Sequence, residues 1–382
     1  MLGRAPNLGG AGLGSGGFMR QRIVVAVTLT LMALGLGAAP ASAAQSPFDI
    51  PRGVDTTVPY LSGRTLHVGN ASYTLPDQSQ GGDYRVAYSL VGLDSRGRWL
   101  VSAAMDMVAQ TQDDYYTYGA RARLFVLGSS GATMIYDERN DYGQLPQFRL
   151  NRSRSRVVLD YHVTDDDSFA ATDVRVIDLN GHVVAQVRNL DQMLSVLDAS
   201  GRRVVLGGLF GVRARIWTPG GTTRWLTRKE TSFADLHTGA LAVRATKHRW
   251  GMSTLAHPKR LRWKAWFQPV RVSPNGKRVV GVATARNGRL TNTVQVRRLS
   301  NGRLTNAYSF TRGSVDARTL AWQGSTAVVF QAGDVRRTDS VLVRCVTGGK
   351  CSRASDPAPR TNDIYSQGDP LTFTFEPDSR AF

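Results

Sequence analysis

Basic and aromatic side chains are interleaved over residues 244–271, and this stretch has the residue types best suited to binding an anion. Arginine and lysine pair with phosphate or carboxylate groups, and aromatic rings stack on bases or sugars. The candidate anion-binding residues are Lys247, Arg249, Lys259, Arg260, Arg262 and Lys264, interleaved with Trp250, Trp263, Trp266 and Phe267. The alternative is a solvated surface with the tryptophans packed inside, because alternate residues of a strand point to opposite sides and some of these cations must diverge.

The net charge of the chain is concentrated in the same region. The formal charge is +19, and removal of residues 1–43, which hold three arginines and no acid, leaves +16. Residues 236–315 contain sixteen lysines and arginines and no aspartate or glutamate, so the rest of the chain is balanced. Such an excess attracts polyanions. A wall polymer, a lipid surface, an acidic polysaccharide or extracellular DNA would fit, whereas we do not expect specific nucleic-acid recognition.

A second set of candidate contacts lies in residues 107–120, which we predict to be a long loop. The set consists of Asp113, Asp114, Tyr115, Tyr116 and Tyr118. Long loops on a rigid scaffold often carry binding residues, and these side chains have the chemistry to stack on and hydrogen-bond a sugar ring. The alternative is that they only cap the element beneath them.

Catalytic chemistry has little support in the sequence. No Gly-x-Ser-x-Gly nucleophile motif occurs, and the six histidines are scattered. Paired carboxylates would serve a glycosidase or lyase, but nothing selects a pair from Asp106, Asp160 and Asp178. The glycines of residues 12–17 match a dinucleotide fingerprint without its surrounding strand and helix, and the acids of 165–167 lack the spacing of a calcium loop. We therefore expect no cofactor and no metal.

The elements that must position these residues are β-hairpins that recur along the chain. In residues 270–283 two apolar runs flank the turn Ser273-Pro274-Asn275-Gly276, and the order of apolar run, polar turn, basic residue and apolar run returns near Asp94, Asn151 and Asp198. A shorter copy lies near His237, and a less regular one lies near Trp322. The spacing suits units of about 40–50 residues. A second hairpin follows within the units, so each unit has four strands.

Because a four-stranded sheet cannot bury both of its faces alone, the units must stack around an axis. The pattern resembles the TolB-type and WD-repeat-like β-propellers over residues 54–376, although no unit ends in Trp-Asp. We predict an all-β protein with one β-propeller domain over residues 44–382. The length of this domain indicates seven four-stranded blades. The alternative is six blades, which is the number of clear units. In the seven-blade form, a strand at 371–375 joins the hairpin at 64–68 and 72–75 and closes the ring.

Both cysteines, Cys345 and Cys351, flank a Thr-Gly-Gly turn in the second hairpin of one unit. In an exported chain this arrangement favours a disulfide that staples the hairpin. Residues 1–43 have the pattern of a leader and a secretory signal peptide, with Arg20 and Arg22 before the apolar run 23–36 and a small-residue cleavage site at 41–43. We expect a secreted, monomeric mature protein without a transmembrane helix; an uncleaved anchor is the alternative.

The function that these observations favour is that of a secreted, non-enzymatic propeller. Its partner would be an anionic envelope or extracellular polymer, surface or protein, bound through the basic blades. The alternative hypothesis is a carbohydrate-active enzyme, a glycosidase or lyase, with its site at the central channel. A purely structural role is the third.

Overall fold

The computed structural model describes residues 46–77, 84–110, 115–128, 131–140, 146–163, 171–208, 212–334, 336–359 and 373–375. The predicted leader and signal peptide of residues 1–43, the acids 165–167, Asp113 and Asp114 lie outside these ranges. Short 3-10 helices occur at Pro47–Asp49 and Ala317–Thr319, and the rest of the regular structure consists of strands. In this part of the chain no helix is long and apolar enough to span a bilayer.

The strands are β1 (Tyr60–Ser62), β2 (Thr65–Val68), β3 (Ala71–Thr74), β4 (Tyr84–Leu93), β5 (Trp99–Gln110), β6 (Tyr115–Gly128), β7 (Gly131–Asn140), β8 (Gln147–Leu150), β9 (Arg156–Val163), β10 (Ala171–Asp178), β11 (Val183–Leu190), β12 (Ser195–Ser200), β13 (Arg203–Gly207), β14 (Ala214–Trp217), β15 (Thr223–Thr227), β16 (Thr231–Asp235), β17 (Ala240–Thr246), β18 (Arg249–Thr254), β19 (Trp263–Ala265), β20 (Phe267–Val272), β21 (Arg278–Thr284), β22 (Leu290–Arg298), β23 (Leu304–Ser309), β24 (Gly313–Val315), β25 (Ala321–Gln323), β26 (Ala327–Asp334), β27 (Asp339–Val346), β28 (Cys351–Arg353), β29 (Ala358–Pro359) and β30 (Phe373–Phe375).

These strands form seven antiparallel sheets arranged as a ring, so the protein is a seven-bladed β-propeller. Blades 1 to 5 take the strands in order, four at a time, from β4 to β23. In blade 6 the inner strand is divided into β24 and β25, which both pair with β26, and the sheet continues through β27 to β28 and β29. Blade 7 has the order β30-β1-β2-β3. The seven-blade prediction is confirmed, and the count of six is not.

Blade 7 closes the ring by joining the two ends of the described chain. Strand β30 pairs with β1 in the register Tyr60↔Phe375, Leu61↔Thr374 and Ser62↔Phe373. The pairing confirms the predicted closure, which removes two open sheet edges. It is made by the three-residue strand β1 rather than by the predicted hairpin, which forms β2 and β3.

The core lies between neighbouring blades. Trp217, Trp250 and Trp322 are among the largest fully buried side chains, and the indole N–H of Trp322 donates to the carbonyl of Arg271 in the preceding blade at 3.3 Å. Burial of an indole requires such an acceptor for its N–H group. In β10 buried and partly exposed side chains alternate, as expected when each sheet packs against a neighbour on either face.

Two sequence interpretations need correction. Residues 107–120, predicted as a loop, are mostly strand, because β5 runs to Gln110 and β6 begins at Tyr115. The tyrosines and threonine of this segment have high strand propensity, and the register Gln110↔Tyr115 continues the ladder of blade 1. In blade 4 the first hairpin turn is held by Asp235, two residues before the anchor His237 that the spacing indicated.

The predicted disulfide is present. Cys345 and Cys351 are bonded and occupy opposite positions of β27 and β28, on either side of the turn. The sequence contains two cysteines, and neither is free.

Candidate functional site

The ring has two ends, which differ in how the chain turns there. Because successive strands are antiparallel, the turns between the first and second strands of blades 1 to 6 and those between the third and fourth strands lie at one end, called here the turn face. The turns between second and third strands and the connections between blades lie at the other end, the crossover face. Hydrogen bonds tie neighbouring turns of the turn face together: Ser95 N donates to Arg154 O at 2.8 Å, and Arg152 N to Ala199 O at 2.9 Å.

Acidic and amide side chains hold the turns of the turn face from within. The Asp94 carboxylate accepts hydrogen bonds from the backbone N–H groups of Arg96 and Arg98, both at 2.8 Å. Asn151 accepts in the same way from Ser155 and Arg156, at 2.9 and 3.0 Å. Asp and Asn favour such turns because their short side chains reach backbone donors two to five residues ahead. Each acid therefore points inward, toward its own turn.

The second turn of blade 2 follows the same rule. Burial opposes ionisation of Asp178, but hydrogen bonds from the backbone N–H groups of His182 and Asn180 outweigh it, so the pKa of this carboxyl lies below its ordinary value. Asp235 accepts from His237 N and Thr238 N at 2.9 and 3.0 Å. The side chains of Asp94 and Asp235 are completely buried.

The side chains that these turns expose are cationic. Eleven exposed lysines and arginines lie in or directly beside the hairpin turns of this face: Arg96, Arg156, Arg202, Arg203, Lys259, Arg260, Arg262, Lys277, Arg298, Arg303 and Lys350. Within the described residues, none of the eleven has a carboxylate at ion-pair distance. The four aspartates of the same turns are buried or half-buried.

The six predicted anion-binding residues separate into three groups. Lys259, Arg260 and Arg262 lie on the turn face, in the loop between β18 and β19. Lys247 and Arg249 lie at the opposite end of β18, on the crossover face, and Lys264 is exposed on the outermost strand β19.

The aromatic residues of the stretch serve the protein itself. Trp250 and Phe267 are buried in the core, and the Arg249 guanidinium lies 4.5 Å from the ring centre of Trp266. The indole N–H of Trp263 donates to Leu299 O in blade 5 at 2.9 Å. The alternative considered from the sequence, in which the tryptophans pack inside the protein, is correct for Trp250.

Residues from other blades join Lys259, Arg260 and Arg262 on the turn face. Blade 5 contributes Lys277, Arg298 and Arg303, and blade 3 contributes Arg202 and Arg203. They are absent from the candidates chosen by sequence, although a signal was present, because basic residues follow the polar turns that begin at Asp198 and Ser273.

A recess occurs on this face, in the loop between β18 and β19. It has a volume of about 500 Å³ and is lined by Thr254, His257, Arg260, Leu261, Arg262 and Ser300. Hydrogen bonds inside the loop shape it: His257 N donates to Thr254 O at 3.1 Å, and Arg260 N donates to His257 O at 3.1 Å. Ser300 belongs to the second turn of blade 5, so the recess lies between two blades.

A polar cluster links blades 1 and 2 away from the turns. The hydroxyls of Tyr136 and Tyr161 are 2.9 Å apart, and both contact the Glu138 carboxylate, which also pairs with Arg175. Burial, together with the neighbouring Tyr136 and Glu138, raises the pKa of Tyr161. Each of the four side chains has a partner within the cluster, which therefore joins two blades.

Two of the acids considered for catalysis, Asp160 and Asp178, are not brought together. Asp160 is buried between blades 2 and 3, and burial raises its pKa to about 7. Asp160 and Asp178 pair with Val174 and Arg156 respectively, so they are four positions apart along the ladder, roughly 13 Å. The Asp106 side chain and those of Tyr115, Tyr116 and Tyr118 lie outside the described part. Among described residues, no group of three or more His, Cys, Asp or Glu is placed to hold a metal.

Comparison with known proteins supports the architecture. No protein-family model matches the sequence, and no curated protein matches it. The periplasmic gluconolactonase PpgL of Pseudomonas aeruginosa is similar in structure, with a TM-score of 0.50 and 10% identity over 79% of this chain and 96% of that one. BamB of Moraxella catarrhalis has a TM-score of 0.42 and 14% identity over 81% and 87% of the two chains. An oligogalacturonate lyase in complex with manganese has a TM-score of 0.46 and 10% identity over 78% and 98%. At such low identity the likeness concerns the fold alone.

Proposed function

We propose that the protein is a secreted, non-enzymatic β-propeller that binds an anionic polymer of the cell envelope or extracellular space through its turn face. The observation that carries the proposal is the group of eleven exposed lysines and arginines without carboxylate partners among the described residues. A cation that already pairs with a carboxylate must break that pair before it binds an anionic ligand. An unpaired cation binds the ligand without this cost.

The placement of the eleven cations favours a polymer over a small anion. They come from blades 1, 2, 3, 4, 5 and 6, whereas a compact ligand contacts only a few side chains at once. A chain with many anionic groups can contact several blades and release counterions at each contact. Each exposed pair adds little alone, so affinity arises from their number and should weaken with salt.

The rigidity of the turns supports the same function. Arg278 donates from its guanidinium to Ser325 O and to the Thr347 hydroxyl of blade 6, at 3.1 and 3.0 Å, and similar bonds connect blades 1, 2 and 3. A platform held in this way loses little conformational entropy on binding. The backbone positions from which the cations extend are thus fixed.

Export is supported by the sequence of residues 1–43 and by the disulfide. Disulfides persist in oxidising compartments and are rare in the cytosol. The bond between Cys345 and Cys351 closes a turn beside Lys350, one of the exposed cations. We therefore place the polymer outside the cytoplasm.

The test is retention of the purified mature protein on heparin resin. We expect retention at low salt and release by modest salt. The variant Lys277→Gln/Arg298→Gln/Arg303→Gln on the turn face should elute earlier. The slope of log affinity against log salt should fall by about 0.7–0.9 for each ion pair with the polymer that the variant no longer forms.

A matched control distinguishes the effect of the turn face on retention from the effect of net charge. Lys247→Gln/Arg286→Gln/Arg289→Gln also removes three exposed cations of blades 4 and 5, but from the crossover face. It should elute close to the parent. Lack of retention at low salt, or equal shifts of the two triple variants, would contradict the proposal.

A further inference from the structure

The recess between blades 4 and 5 is a concave, partly open region of the turn face. At about 500 Å³ it falls within the size of pockets that bind small molecules, which run from about 300 to 1,000 Å³. A linear polymer lying across a flat face needs no such concavity. The recess is therefore suited to one unit of the polymer.

The lining residues define the chemistry of that unit. Arg260, Arg262 and His257 provide donors for an anionic oxygen group, and the first two have no carboxylate partner among the described residues. The hydroxyls of Thr254 and Ser300 can each donate and accept, as sugar hydroxyls do. None of the six described lining residues is a Trp, Tyr or Phe, although stacking on such rings is the usual way to hold a nucleic-acid base.

Both walls are fixed relative to each other. On the blade 4 side, the Ser253 hydroxyl donates to Pro258 O at 3.2 Å, and Arg262 N donates to Met252 O at 2.8 Å. On the blade 5 side, the bond from Trp263 Nε1 to Leu299 O holds the strand that leads into Ser300. The width of the recess is therefore set before a ligand arrives.

We propose that this recess binds a single hexose-sized unit carrying a phosphate, sulfate or carboxylate group, and that it selects which anionic polysaccharide the turn face accepts. The inference rests on the proposed function, because it names the kind of polymer that the turn face binds. The cations of the other blades provide charge along the polymer. The recess recognises its repeating unit.

The experiment is calorimetric titration of the mature protein with glucose 6-phosphate, glucose 6-sulfate, glucuronate and glucose at low salt. We expect saturable binding of at least one anionic sugar at one site per chain, with no detectable binding of glucose. The variant Arg260→Gln/Arg262→Gln should weaken that binding by at least about ten-fold, because it removes two charge-assisted contacts. Which of the three anionic sugars binds most tightly identifies the substituent.

The matched control is Lys277→Gln/Arg298→Gln, which lies outside the recess. It should lower retention on heparin while leaving the anionic sugar affinity within about two-fold of the parent. Retention on heparin without any sugar binding would overturn this inference and leave the proposed function intact. Failure of both would overturn both. Sugar binding that survives Arg260→Gln/Arg262→Gln, or tighter binding of a short single-stranded oligonucleotide at this recess, would also overturn the inference.

Discussion

The two ends of the ring use their acids in different ways. In the hairpin turns of the turn face, the aspartates are buried or half-buried and accept from backbone N–H groups, so the exposed charges are cationic. On the crossover face, acids pair with cations: Arg244 lies 2.7 Å from Glu230, and Arg64 lies 3.3 Å from Asp77. Exposed cations occur there as well, but they share the surface with exposed acids such as Asp77 and Asp191.

The difference shows that a count of lysines and arginines does not locate a binding surface. The cations available to a partner are those whose neighbouring acids are already engaged with the backbone. The repeated hairpin places an acid or amide at the start of a turn and a basic residue at its end. Acids and bases that lie close together in the sequence are thereby separated in the fold, because the acids are buried in the turns and the bases are exposed.

Removal of a turn acid should have the largest effect on stability. Asp94 accepts from two backbone N–H groups and pairs with Arg98 at 2.8 Å, and its side chain is fully buried. We expect Asp94→Ala to lower the free energy of unfolding by about 3 kcal/mol, because several donors lose their acceptor. Urea unfolding followed by tryptophan fluorescence measures this. The exposed acid Asp356 is the control: its side chain is 88% exposed, and its partner Arg52 also pairs with Asp55, so Asp356→Ala should change the free energy by less than about 1 kcal/mol. Equal losses would remove the distinction between the two kinds of acid.

The contribution of Asp160 to the free energy of unfolding should decrease as the pH rises. Its Oδ1 accepts one long bond from Val196 N, at 3.4 Å, and its Oδ2 has no partner within the described part of the chain. Burial raises its pKa to about 7, so the folded state holds a proton that the unfolded state releases near pH 4. The stability that this proton contributes is present at low pH and is lost as the pH rises through 7.

The variant Asp160→Asn tests the direction in which stability changes with pH. Its stability relative to the parent should rise by about 2–3 kcal/mol between pH 4.5 and pH 8, measured from urea unfolding at each pH. Asp178→Asn, at a carboxyl whose pKa is lowered, should show the reverse trend between pH 5 and pH 3. A relative stability of Asp160→Asn that is independent of pH would show that Asp160 is not a strained carboxylate.

The disulfide should contribute a smaller, local term. It holds the second turn of blade 6 by joining opposite positions of β27 and β28. Because the closed loop is short, we expect Cys345→Ala/Cys351→Ala to lower the free energy of unfolding by about 2 kcal/mol. Retention on heparin at low salt should be nearly unchanged, since the ten exposed cations outside this turn keep their positions. A large loss of retention in a folded double variant would mean that this turn dominates binding.

The fold was largely predictable from the sequence because its signal is repeated. Each Asp, Asn or Ser turn with a basic residue after it marks a hairpin. The repeat indicated six clear units, the chain length indicated the seventh blade, and the two cysteines that flank a turn indicated the disulfide. Strand β1 was missed because three residues carry no periodicity. The strands at 107–120 were missed because the sequence between Gln110 and Tyr115 contains no glycine or proline, the residues that mark most of the hairpin turns.

The candidate site was predictable in residue type and not in position. Lys247 and Lys259 are twelve residues apart in sequence, yet they lie at opposite ends of β18. Closeness in sequence misleads here because one strand separates the two faces. Arg202 and Lys277 are far apart in sequence but share a face, and only the count of strands in each blade reveals it.

The variant with the smallest expected effect tests the difference between the two faces most directly, because it frees a cation from its partner instead of removing a cation. Asp77→Asn takes away the partner of Arg64 on the crossover face, where both side chains are partly exposed. Such a pair contributes less than about 1 kcal/mol, so stability should hardly change. If unpaired cations are what a polyanion recognises, the variant should need slightly more salt for elution from heparin. That increase should be smaller than the decrease for Lys277→Gln/Arg298→Gln/Arg303→Gln, because the released cation stands apart from the turn-face group. A rise as large as that decrease would mean that total charge governs retention, and that the two faces of the ring are equivalent.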